Sequence, residues 1–292
     1  MSECGSTLPR RQLGRYLRNG REECGLTLQQ AAALINRSAS TLQRIEKGMV
    51  ANLREEDLEA LCKIYEFDEH QTAAMKVLAA QGNILNWWSE YGDLIPGNFD
   101  FYVGLEAAAH SVATYQSELI PGLLQIPAYA SALIHAVYPD ELPEEHQRRV
   151  RLRMRRQIRI TRKAQPIYLD VVLRESAVRG LVGGPRVMAA QLKHLADIGT
   201  RPNVNVRVLP FCAGLPLGVA VGPFVLLEFG NDAKGEENEP PVVYVEQFAG
   251  DLYLEKGGVV QRYHRAYESI RNQALDEVAS RNMLRQLAKE YA

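Results

Sequence analysis

Between residues 8 and 82 apolar side chains recur at helical spacing, in runs separated by residues that start and stop helices. In residues 8–24, Leu13, Tyr16 and Leu17 share one face and predict an amphipathic helix. Arg10, Arg11, Arg15, Arg18 and Arg21 are placed outward, and Gly25 closes the helix. Residues 27–47 predict two short helices joined by a tight turn. Thr27 with Gln30 three positions on has the form of a capping box. Ala31, Ala32, Leu34 and Ile35 give a compact apolar face, its small alanines allowing a second helix to cross closely. Asn36 and Arg37 make the turn, because Asn tolerates left-handed backbone. Ser38 caps the next helix, with Leu42 and Ile45 pointing inward. Asn52 is read as the cap of a fourth helix burying Leu58, Leu61, Ile64 and Tyr65, and Asp68 as the cap of a fifth running towards Gly82.

Beyond residue 82 the pattern changes twice. Residues 83–100 read as a linker, interrupted by Gly92, Pro96 and Gly97 and carrying the only tryptophans, Trp87 and Trp88. The pair either anchors the linker on the second domain or marks a ligand pocket. Val103, Leu105, Ala109 and Val112 predict a helix over 101–118, ended by Pro121-Gly122. A helix restarts after Pro127. Next comes an arginine-rich helix, Arg148 to Lys163, with Val150, Met154 and Ile158 as its single apolar stripe. From residue 166 the runs PIYLDVVL, VNVRVLPF, FVLLEF, PVVYVEQF and DLYLE read as strands. Pro185 starts a helix to about Ile198, and one or two helices fill 257–291. The expected fold class is α+β. Five helices (8–82) precede a linker (83–100) and a larger mixed domain (101–292), whose mostly antiparallel sheet is flanked by helices.

Chemistry concentrates in the second of the paired helices. Ala39, Ser40, Gln43 and Arg44 remain outward there, short or hydrogen-bonding side chains suited to reading base edges in a major groove. Arg11, Thr27, Arg37, Ser38, Lys47 and Arg54 are the candidates for phosphate contact. Glu46 is assigned to an arginine of the first helix, because a carboxylate facing phosphates is repelled. Residues 1–54 carry nine Lys or Arg and four acids, whereas 55–70 carry seven acids and one lysine. Such a dipole presents its positive side to a duplex. The expected partner is a double-stranded operator, met by a homodimer.

Composition narrows the alternatives. At 292 residues the chain exceeds one small helical domain, and its 46% hydrophobic content supplies two cores. No window approaches the ~18 apolar residues of a membrane span, and MSECGSTLPRRQ has no apolar signal region. Cys4, Cys24, Cys62 and Cys212 stand far apart, so a reducing cytoplasm without disulfides or zinc is expected. No G-x-S-x-G, H-E-x-x-H or P-loop occurs. Asp170, Glu175, Glu228, Glu246, Asp251 and Glu255 are the only carboxylates that the strands might bring together. Neither an enzyme nor a cofactor is expected.

Five helices in this order, with RIEKG closing the third, resemble the XRE-type, phage-repressor-like DNA-binding domain. NWWSEYGDLIP, YVGLEAAAHSVATYQSELIPGLLQIPAYASALI, RVRLRMRRQ, VGGPRVMAAQLKHL, RPNVNVRVLPF, GPFVLLEF and VVYVEQFAGDLYLE follow in order. From residue 8 to about 275 the series resembles a large family of actinobacterial, antitoxin-like (WhiJ-like) regulators. The resemblance implies a cytoplasmic DNA-binding protein, many relatives being encoded beside a small partner protein. LPLGVAVGPF departs from it, lacking the histidine expected after PFxAG. Three readings of the large domain stay open. It docks a small acidic protein on Arg151, Arg155 and Arg159, or holds an apolar ligand near Trp87, Trp88, Phe211 and Tyr244, or sequesters a toxin directly.

Overall fold

A computed structural model describes residues 7–50, 53–82, 87–95, 99–230 and 239–292. The chain divides into two compact units, residues 1–108 and 109–292. The first unit is helical: α1 (Thr7–Glu23), α2 (Leu28–Leu34), α3 (Ala39–Glu46), α4 (Glu55–Ile64), α5 (Glu69–Gly82) and α6 (Phe99–Ala108). Leu13, Leu17, Ala31, Ala32, Ile35, Leu42, Ile45, Leu58 and Leu61 form its core. Asp68 caps α5 reciprocally, accepting from the Gln71 N–H at 2.7 Å while its own N–H donates to Gln71 Oε1 at 3.0 Å.

Four of these helices end the same way. The residue after the C-cap turns left-handed, at Gly25, Asn36, Gly48 and Glu66. In α3 the Gly48 N–H donates to the Ile45 carbonyl at 2.9 Å and the Met49 N–H to Arg44 at 2.9 Å, the paired bonds of a Schellman motif. Arg37 to Ala32, Leu26 to Arg21 and Phe67 to Cys62 repeat the outer bond at 2.9, 3.0 and 3.0 Å. Glycine meets this backbone freely at two positions. Asn36 does so at modest cost, and Glu66 does so under strain.

Several expectations for this unit are corrected. Tyr16 is exposed, whereas Arg10, Arg11 and Arg21 are buried, so α1 turns an arginine edge inward rather than a purely apolar one. Leu34 is exposed, because α2 ends there and only Ala31, Ala32 and Ile35 face the core. Asn52 lies outside the described residues. The helix begins at Glu55, with Arg54 as an N-cap that makes no side-chain bond. Trp87 and Trp88, read as a linker pair, belong to the first unit. Their rings meet edge to face at 5.6 Å, Trp87 meets Tyr91 similarly, and Trp88 is buried.

The second unit is built on one six-stranded sheet: β1 (Ser111–Gln116), β2 (Tyr168–Arg174), β3 (Val204–Leu209), β4 (Phe224–Glu228), β5 (Val242–Val245) and β6 (Leu252–Leu254). The spatial order is β3-β2-β1-β4-β5-β6. β1 and β2 are parallel, as are β2 and β3, while the other three pairings are antiparallel. Helices α7 (Pro127–Val137), α8 (Pro143–Arg156) and α9 (Ile158–Thr161) connect β1 to β2, and α10 (Glu175–Arg179) and α11 (Pro185–Ile198) connect β2 to β3. α12 (Gly257–Gln273) and α13 (Glu277–Glu290) end the chain. The fold class is α+β.

One sheet face carries Tyr115, Val172, Leu209, Phe224, Leu226, Val243 and Val245 against Val260, Tyr267 and Ile270 of α12. Central strand β1 contradicts the helix expected over 101–118: α6 stops at Ala108 and SVATYQ is extended between β2 and β4. The apolar stripe of the arginine-rich helix is also displaced. Leu152, Arg156 and Ile160, four apart, are buried, Val150 and Met154 are half-buried, and Ile158, just past the break at Gln157 between α8 and α9, is exposed.

Candidate nucleic-acid interface

Helix α3 is fixed at both ends. At its start the Ser38 Oγ accepts from the Thr41 N–H at 3.1 Å and lies 2.9 Å from Ser40 Oγ and 2.8 Å from Thr41 Oγ1. Such a cap contributes about 1 kcal/mol. The preceding turn is clamped by Arg37, whose Nε donates to Asp57 Oδ2 at 3.1 Å and whose Nη2 lies 3.0 Å from the same oxygen. At the far end Glu46 is buried. It accepts from Arg21 Nε at 2.6 Å and Nη2 at 3.0 Å, and the Arg18 Nη2 donates to its backbone carbonyl at 3.0 Å. The bidentate bond to Glu46 raises the Arg21 pKa, and burial followed by the charge of Glu46 pushes the nearby Tyr65 phenol up. Gly14 makes the close approach of α1 possible. A Cβ there would sit 2.6 Å from the carbonyl oxygens of both Ile45 and Glu46.

With Leu42, Ile45 and Glu46 inward, the outward face of α3 presents Ser40, Gln43 and Arg44 exposed and Ala39 half-buried. Lys47 follows on the same helix end and is exposed, as are Ser38 and Arg54. Thr27 is exposed at the start of α2 in its capping box. Its N–H and hydroxyl donate to Gln30 Oε1, both at 2.9 Å, and its hydroxyl accepts from the Gln30 N–H at 3.3 Å. Exposed polar and cationic groups therefore run along α3 and the start of α2, in the arrangement that a major-groove reader needs.

Two phosphate candidates do not fit this surface. Arg11 is buried, with its backbone pressed against Gly48, where a Cβ would lie 2.8 Å from Arg11 Cα. Arg37 is spent on Asp57, holding the α2–α3 turn against α4. Asp57 and the choice of Arg21 for Glu46 are the residues that sequence reasoning misses. Both partners lie 20 or more positions away, and nothing local marks the pairing.

The candidates of the second unit are not brought together. Phe211 follows edge strand β3 and is exposed, whereas Tyr244 is buried on β5 and packs on Tyr253. Four strand spacings separate β3 from β5, roughly 19 Å, so no single small-molecule pocket holds both side chains. Much of the arginine cluster is used internally. Arg149 pairs with Glu141 and covers the Tyr138 ring at 4.0 Å, Arg153 bonds Gln125 Oε1 at 2.8 Å, and Arg162 bonds the Gln165 carbonyl. Arg159 is half-buried and bonds the Ala109 carbonyl ahead of β1. Arg151 and Arg155 are exposed. Three of the six strand carboxylates are separately engaged: Asp170 with Arg271 at 3.1 Å, Glu175 with Arg179 at 2.6 Å, and Glu228 with the Ser111 hydroxyl at 2.7 Å. Among the described residues no group of three or more His, Cys, Asp or Glu is placed to hold a metal, and no helix is long and apolar enough to cross a membrane.

A short helix capped at both ends, buried on one side and polar on the other, and crossed by a second helix after a left-handed turn, defines a helix-turn-helix domain. Residues 12–75 match the family described as Helix-turn-helix domain. Residues 99–286 match a second family, described as Domain of unknown function (DUF5753), and the chain belongs to that family. No curated protein and no solved structure matches the chain.

Proposed function

We propose that the protein is a sequence-specific DNA-binding transcriptional regulator, acting as a homodimer and controlled through its second unit. The observation that carries this reading is the division of α3: Leu42, Ile45 and Glu46 are locked inward while Ser40, Gln43 and Arg44 stand outward. Gln43 and Arg44 are long enough to reach base edges, Ala39 allows close approach, and Lys47, Arg54, Thr27 and Ser38 supply phosphate contacts. The protein is a binder and not an enzyme in this reading. The ordered motifs along the chain support placing it among the antitoxin-like regulators of actinobacteria, in the cytoplasm.

A small acidic protein is one candidate controller. Exposed Arg151 and Arg155 on α8 support it, with half-buried Arg159 beyond them engaged on the Ala109 carbonyl. Genomic footprinting of the full chain, with and without any small acidic protein encoded beside its gene, tests the reading. Discrete sites with near-two-fold symmetry, their occupancy altered by the small protein, are expected. Uniform, sequence-independent protection overturns it. So does growth arrest by the small protein alone, relieved by this chain without any footprint, which is the behaviour of a direct toxin sequestrant.

A further inference from the structure

The second unit carries a cleft that the sequence does not announce. A cavity of about 250 Å3 opens at the carboxyl ends of β1 and β2. Tyr115 of β1 lines it, with Ser117 and Glu118 just past that strand's end, Arg174 at the last position of β2, and Ile270 of α12. Leu215 to Val221, in the connection before β4, form its apolar roof. This is the place in the sheet where β1 has a parallel neighbour on one side and an antiparallel one on the other. Small-molecule sites are concave and lined mostly by apolar side chains with a few polar groups among them, and this cleft has that lining.

The roof is built and held. Its leading end is fixed where the Phe211 N–H donates to Glu175 Oε2 at 2.7 Å. Burial pushes the Glu175 carboxyl up, but that bond and Arg179 outweigh it and hold its pKa below the usual value. The middle is fixed where Ser269 Oγ and Gln273 Nε2 of α12 donate to the Pro216 carbonyl, both at 3.3 Å. Gly214 and Gly218 turn left-handed on either side of that anchor, in open space. Beneath the roof the Arg174 and Glu118 side chains both line the cavity. Among the described residues neither makes a hydrogen bond or ion pair, with the other or with anything else. Half-buried Arg174 gives the cleft a weakly hydrated, planar cation with a fork that matches a carboxylate, whereas Glu118 in the same lining is exposed to water.

We propose that this cleft binds a small carboxylic acid with an apolar body, its carboxylate on Arg174 and its body under Leu215, Leu217, Val219 and Val221. The volume lies just below the ~300–1,000 Å3 usual for small-molecule sites, which restricts the occupant to short chains or a single ring. The proposal deepens the regulatory reading, since it names the class of molecule through which the second unit is addressed.

Saturation-transfer NMR on the full chain, titrated with hexanoate, octanoate and phenylacetate and with the corresponding amides, tests it. Saturable binding of at least one acid is expected, with its amide at least tenfold weaker. Arg174→Gln should lose at least tenfold in affinity. Ala220→Trp, at an exposed roof position, should block the cleft without disturbing the core. Absence of saturable binding by every acid overturns the proposal, as do equal affinities for acid and amide, or binding that survives Ala220→Trp. The measurement uses no DNA. Failure here with operator recognition intact removes the ligand site alone, and failure of operator recognition leaves this result standing.

Discussion

Glu46 shows how much a single side chain can decide. A carboxylate at the end of a DNA-facing helix would repel phosphates, and here it is turned inward, bidentate on Arg21 and buried. Glu46→Gln leaves the buried Arg21 guanidinium with only the exposed Glu22 carboxylate, 3.2 Å from its Nη2, as counter-charge, and loss of one partner of a buried pair costs about 3–5 kcal/mol. The variant should lower the unfolding free energy of the first unit by that amount, read as a lower urea midpoint by circular dichroism at 222 nm, and an unchanged midpoint would show the pair to be ornamental. Residues that act through their neighbours in sequence were legible: Thr27 with Gln30, Asn36 at its left-handed turn and Ser38 with Thr41 all form as the spacing predicts. Arg11 and Arg37 were not. A basic side chain on a helix or in a turn of a basic segment looks like a solvated cation, and only the fold reveals that Arg11 is buried and Arg37 is held by Asp57.

At the level of elements, the ends of helices carried more information than their middles. The four left-handed C-terminal turns give the first unit its sharp corners, and three of them fall on residues that accept such backbone readily. Glu66 is the exception, exposed and at φ 55°. Glu66→Gly should therefore stabilise the first unit by about 0.5–1 kcal/mol, the strain relieved exceeding the added freedom of the unfolded chain. A thermal melt that shifts downward would contradict this account of the corner. Strands β2 to β6 were legible because each alternates or clusters Val, Leu, Tyr and Phe between breakers. Strand β1 was hidden. The alanines of residues 107–109 continue the helical pattern of α6 up to it, no Gly or Pro separates the two, and Val112 falls at helical spacing from Ala109. What makes those residues a strand is pairing with β2, whose partners lie 57 positions further on, and with β4 beyond.

On the scale of the whole molecule, the chain divides into a helical unit of residues 1–108 and a sheet-based unit of 109–292, to which the proposed function assigns recognition and control respectively. The recognition half was readable because a helix-turn-helix is local, its caps, turn and buried face all within about 20 residues. The cleft of the control half was not, since its walls come from β1, β2, the roof and α12, brought together only by sheet order. The central claim is that α3 reads bases through Arg44 while Lys47 grips phosphate. It is tested most directly by measuring the affinities of the full chain, Arg44→Ala and Lys47→Ala for one footprinted operator and its single-base variants across a salt series. Arg44→Ala should lose about 1–3 kcal/mol and relax preference at one base position. Lys47→Ala should weaken every sequence alike and reduce the slope of log affinity against log salt by about one. Both variants matching the unaltered chain in affinity, base preference and salt slope would contradict the placement of α3 in the groove.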